Sequence, residues 1–110
     1  MEQVSVFVEY FGSSPLIGIM DFLIVGKDFE YSKREIVEGA GVGRTSFRRA
    51  WKRLVAKRVV VSTRTRSKTK RFKLNMTDLI VKKLVKFDWE ITKVETDKFL
   101  SKRVKIKSVD

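Results

Sequence analysis

Apolar residues recur at helical spacing in three stretches of the first 57 residues. Leu16, Ile19, Met20, Leu23 and Ile24 share one face of a helix that opens at Ser13-Ser14-Pro15, a Ser cap with Pro just inside the first turn. That helix runs to about Val25 and ends at Gly26. Phe29-Glu30-Tyr31 forms an extended link, and Ser32 with Glu35 three residues on makes a capping box for a short helix starting at Lys33. Ile36 and Val37 give this second helix its inward face, and Gly39-Ala40-Gly41-Val42-Gly43 breaks it with a tight turn. A third helix follows from Arg44 to about Lys57, with Phe47, Ala50, Trp51, Leu54 and Val55 spaced three and four apart. Val59-Val60-Val61 then opens one strand and Arg71-Phe72-Lys73-Leu74 closes another. Small polar and basic residues alternate between them from Ser62 to Lys70, the pattern of a hairpin with an exposed tip.

The two ends of the chain are less regular. Residues 3–11 are apolar with weak alternation and fit either a short strand or a helical turn. Asn75 or Thr77 can cap a last helix from about Asp78, in which Ile80, Leu84, Phe87, Ile91 and Val94 follow at spacings of 4, 3, 4 and 3. This heptad-like seam fits either the domain's own core or a partner. Trp89 and Phe99 add a surplus of apolar surface, which favours homodimerisation through the seam. Residues 102–109 alternate Lys with Val or Ile and read as a frayed strand or tail. The chain thus divides into an N-terminal extension (1–12), a domain of three helices and a hairpin (13–74), a C-terminal helix (75–101) and a basic tail (102–110).

Composition narrows the chemistry. One hundred and ten residues at 43% hydrophobic make one ordinary domain with a single core. The sequence has neither Cys nor His, which removes disulfides, Cys/His zinc sites and Cys or His catalysis. The acids Asp21, Asp28, Glu30, Glu35 and Glu38 occur singly, with no paired-carboxylate motif. No enzyme activity, metal site, cofactor or small-molecule ligand is therefore expected. The longest apolar stretch, Leu16 to Gly26, is interrupted by Asp21 and falls short of the ~20 residues that cross a bilayer. Nothing at the N-terminus resembles a signal peptide, so a cytoplasmic, nucleoid-associated location is expected.

Charge changes the picture most. Residues 39–77 contain no Asp or Glu and thirteen Lys and Arg. Net charge is −4 over residues 1–38, +13 over 39–77 and +3 over 78–110. An ordinary solvated face mixes signs, whereas this block does not. A dense positive field on folded elements attracts a polyanion, and nucleic acid is the usual one.

The order helix, link, helix, tight Gly turn, helix, hairpin is that of a winged helix-turn-helix. Two helices joined steeply by a few residues need φ > 0 at the turn, which Gly41 supplies. On the segments FGSSPLIGIMDFLI and FEYSKREIVEGAGVGRTSFRRAWKRL, the chain resembles the archaeal winged helix-turn-helix transcriptional regulators over roughly residues 10–87. The resemblance implies double-stranded DNA binding and regulation of transcription. It predicts an α+β, mainly α fold: a three-helix core, a two-stranded hairpin wing and an additional C-terminal helix. Val37 and Ala40 depart from the family's Ala and Ser, and Gly43 replaces a Ser cap, at a cost of a few tenths of a kcal/mol.

Arg44, Thr45 and Arg48 fall in the first turns of the reading helix, where base edges are reached. Arg49 and Lys52 suit flanking phosphates, with Ser46 and Arg53 as further DNA-binding candidates. Arg64, Arg66, Lys68 and Lys70 belong to the wing, along the adjacent minor groove or backbone. Phe47 and Trp51 can be read as base-stacking platforms, but their spacing with Leu54 favours the core. A sequence-independent architectural binder, of a plasmid or virus, is the alternative reading, and a winged-helix protein-interaction module is a third.

Overall fold

Serine hydroxyls cap the first three helices in the computed structural model, which describes residues 4–63 and 68–109, with side chains as far as Lys102. The elements are α1 (Val6–Phe11), α2 (Pro15–Val25), α3 (Lys33–Ala40), α4 (Arg44–Ala56), β1 (Val60–Thr63), β2 (Arg71–Leu74) and α5 (Leu79–Val109). Ser5 Oγ accepts from Val8 N at 3.1 Å and Ser14 Oγ from Ile17 N at 3.3 Å. Ser32 and Glu35 form the expected reciprocal box: Ser32 Oγ accepts from Glu35 N at 3.2 Å, and Glu35 Oε1 accepts from Ser32 N at 2.8 Å. The cap at Ser5 decides the open question at the N-terminus, because residues 6–11 are helical.

The turn between α3 and α4 differs in one respect from the expectation. Gly39 and Ala40 still belong to α3, and the break comes at Gly41, whose φ of 65° is left-handed. Gly39 serves a different purpose. A Cβ there would overlap the Phe22 ring, so the missing side chain lets α2 and α3 approach closely.

β1 and β2 pair antiparallel, Val60 with Leu74 through Thr63 with Arg71. The link before α3 also joins this hairpin: Tyr31 N donates to Phe72 O (2.9 Å) and Phe72 N to Tyr31 O (2.7 Å). The core lies where α2, α3 and α4 converge on the hairpin and α5. Ile19, Leu23, Ile36, Leu74 and Val81 are fully buried. Phe47 stacks on Trp51 with centroids 5.1 Å apart, and Trp51 meets Phe72 edge-on at 5.1 Å. This confirms the core reading of the two aromatics over the base-stacking one. The architecture is mainly helical with a two-stranded antiparallel hairpin, in the element order of a winged helix.

The last helix departs from expectation in three ways. Its start is capped by Asp78, whose Oδ2 accepts from Val81 N at 3.0 Å, while Asn75 and Thr77 bond each other in the preceding turn. It also continues to Val109, so residues 102–109 are neither strand nor loose tail. Propagating an existing helix adds a hydrogen bond for each residue ordered, and Lys is a good helix former. Finally, the five-residue seam is divided. Leu84 and Ile91 pack on the chain's own core, together with Val81 and Val85, whereas Ile80 (75% accessible), Phe87 and Val94 are exposed. The surface that covers the core is thus rotated away from the heptad line. A helix lying on a globular body buries a broad stripe, and the spacing of its apolar residues does not say which edge of that stripe faces the body.

Candidate nucleic-acid interface

Helix α4 is built with two unlike sides. Phe47, Ala50, Trp51 and Leu54 point into the core and are buried, whereas Arg44, Thr45, Arg48, Arg49, Lys52 and Arg53 are exposed. Ser46 is half-buried. At 3.6 residues per turn, Thr45, Arg49 and Lys52 lie opposite the buried stripe and form the crest of the helix. Gly43 takes the N-cap position with extended backbone (φ −73°, ψ 154°) and offers no side chain to the first amides. The positive end of the helix dipole therefore opens next to Arg44 and Thr45.

Among the described residues, no ion pair engages Arg44, Arg48, Arg49, Lys52 or Arg53. Arg71 is the exception within the acid-free block. Its Nη2 is 3.2 Å from Glu35 Oε1 and donates to Glu30 O at 2.9 Å, tying the hairpin to the start of α3. Glu35 is held below the usual carboxylate range, first by the hydrogen bonds of Ser32 and then by Arg71. The cations are accordingly of two kinds, one locked into the fold and the others open to solvent.

The open cations on α4 are further divided between two grooves. Arg44, Arg48 and Lys52 border a groove of about 580 Å³ against α3, whose far side carries Lys33, Arg34 and Glu38. Ser46, Arg49 and Arg53 border a notch of about 380 Å³ against Ser14, Pro15 and Leu16 of the α2 start. In the hairpin, Lys68 and Lys70 are exposed, and Arg64 and Arg66 lie outside the described residues. Lys33 and Arg34 are not evident from the charge pattern, because they belong to the segment of net charge −4. Their place in the first turn of the helix before the Gly turn is the signal that could have found them.

No group of three or more acidic side chains that could hold a metal ion occurs among the described residues, and no helix there is long and apolar enough to cross a membrane.

No family model matches the sequence, and no curated protein does. Two solved structures share its fold. ZitR of Lactococcus lactis, wild type in complex with DNA, superposes with a TM-score of 0.55 at 15% identity, covering 77% of this chain and 60% of that one. The C30AH42A mutant of ZitR in apo form superposes with a TM-score of 0.55 at 13% identity, covering 94% of this chain and 74% of that one. The chain thus spans about three fifths of the DNA-bound ZitR chain it matches. At such identities the likeness is one of fold.

Proposed function

We propose that this protein is a double-stranded-DNA-binding regulator of transcription, a binding protein and not an enzyme. Helix α4 reads the major groove, and the hairpin over residues 62–70 follows the backbone or adjacent minor groove. The observation that carries the reading is the exposed side of α4, which presents five cations without a carboxylate partner among the described residues. The winged-helix fold it shares with DNA-bound ZitR supports the same reading.

Arg48 and Thr45 take base edges, Arg suiting the G O6/N7 pair at about 1–3 kcal/mol of discrimination per good bidentate contact. Arg49, Lys52, Arg53, Lys68 and Lys70 hold phosphate, with Arg64 and Arg66 assigned the same role from sequence alone. Six to eight such contacts give a log–log dependence of affinity on salt with a slope of roughly −5 to −7.

The regulator acts as a homodimer on a site with two-fold symmetry. Its contact surface is the exposed ridge of α5, Ile80, Phe87 and Val94, extended by Phe11, whose ring lies 5.9 Å from that of Phe87. In vitro selection of DNA by the full chain, followed by footprinting at physiological salt, tests the proposal. A bounded, palindromic site is the expected result. Uniform weak protection of every sequence would favour the architectural alternative, and absence of protection would refute DNA binding.

A further inference from the structure

The groove between α3 and α4 gathers five cations: Lys33 and Arg34 from α3, and Arg44, Arg48 and Lys52 from α4. One acid, Glu38, stands among them and is already held by Arg34, Nε to Oε1 at 3.1 Å, with both side chains exposed. The Lys33 ammonium is 5.8 Å from the centroid of the Phe72 ring, at the hairpin side of the groove. The apolar floor, Phe47 and Trp51, is only 5% and 6% accessible. The rim of the groove therefore carries five cations, above a floor whose aromatic rings are almost fully covered.

Geometry says which anion meets it. The major groove is about 12 Å wide, and a helix with its side chains is about 10–12 Å across. A helix seated there has a phosphodiester backbone along each flank. For α4, one flank is the groove against α3.

We propose that this groove seats one backbone of the duplex, with Lys33 and Arg34 contacting phosphates from α3 and Arg44 and Lys52 from α4. Glu38, by holding Arg34 and facing the same phosphates, limits affinity for DNA of any sequence. The inference rests on the DNA reading above and deepens it, since it assigns Lys33 and Arg34 to the interface and moves Arg44 from base edge to backbone.

The test is equilibrium binding of the full chain to a duplex of about two helical turns across a series of KCl concentrations. Wild type is compared with a Lys33→Ala/Arg34→Ala double variant and with Glu38→Gln. All three side chains are exposed, so the variants should retain the wild-type thermal melt.

The double variant is expected to flatten the log–log salt slope by about 0.9 for each phosphate no longer neutralised, or roughly 1.8 in all. It should weaken selected and random sequences by the same factor. Glu38→Gln is expected to strengthen both and steepen the slope. A double variant that keeps the wild-type slope overturns the inference alone, even if its affinity drops. An unchanged Glu38→Gln removes the role given to Glu38. A wild type that binds no duplex overturns the DNA reading itself.

Discussion

Helices α4 and α5 are both amphipathic and both rich in Lys and Arg, yet they treat their apolar residues differently. In α4 nearly every large apolar side chain is buried, Val55 being the exception, and the opposite side is almost wholly polar. In α5 the core takes Val81, Leu84, Val85 and Ile91, while Leu79, Ile80, Phe87, Trp89, Val94, Phe99 and Leu100 stay exposed. At 31 residues and about 46 Å, α5 also outruns the 28 and 24 Å short dimensions of the molecule, so it runs largely along the 61 Å axis. The lesson is that charge density alone does not define an interface. A helix that has satisfied its apolar side presents a surface for water and polyanions, whereas one left with exposed Phe, Ile and Val suits a protein surface.

The comparison breaks first at Trp51. It stacks on Phe47 and meets Phe72 edge-on, so Trp51→Ala should remove about 3–5 kcal/mol. That is a large part of the ~5–15 kcal/mol of an ordinary domain. Loss of the cooperative melt is expected, and an unchanged denaturation midpoint would mean that α4 is not anchored as described.

The α5 side is tested by Ile80→Asp combined with Phe87→Asp. Both residues are exposed, so the fold should survive while sedimentation reports half the wild-type mass. A wild type that already sediments as a monomer refutes the dimer. Ile91→Asp is the poorer probe, because Ile91 packs on the core and its loss would confound folding with association.

A smaller effect is expected where α4 gives way to the hairpin. Arg58 has φ 57°, a left-handed conformation that disfavours side chains, and its carbonyl accepts from Asn75 Nδ2 at 3.0 Å. Arg58→Gly should raise stability by roughly 1 kcal/mol by relieving that strain. A lower thermal midpoint would show that the Arg side chain contributes more than its backbone costs.

The smallest effect belongs to the seat of α5 on α2. The Asp88 carboxyl is raised above the usual range, first by burial and then by Asp21, with Lys27 opposing. Because the folded value exceeds the unfolded one, the folded state prefers the protonated acid. The contribution of Asp88 to stability is highest below the ordinary Asp range and is lost as pH rises through the raised value. Asp88→Asn should flatten that decline in pH-dependent melts. An identical pH profile in the variant would remove Asp88 as its source.

Much of this was legible along the chain. The Ser14-Pro15 start, the Ser32–Glu35 box, the left-handed Gly41 and the Phe47–Trp51–Leu54 stripe are local features. Each is a matter of residues within a turn or two bonding or packing with one another, and each appears in the structure where the pattern predicted it. The features that spacing did not reveal depend on distant partners. Gly39 looked like part of the turn and is instead the point where Phe22 presses on α3. The Tyr31 link pairs with β2, 41 residues away.

By itself, then, the sequence determined the three helices and hairpin of residues 13–74, which side of α4 is buried, and where the positive charge lies. Spacing and side-chain chemistry are properties of the chain, and they hold before any two elements meet. Only the tertiary structure decided how α5 is rotated on the body, and with it which seam residues remain free. It also divided the α4 cations between two grooves and brought Lys33 and Arg34 beside one of them. Those outcomes follow from the packing of α2, α3 and α5 around one core, a contest among non-local interactions that the periodicity of a single helix does not record.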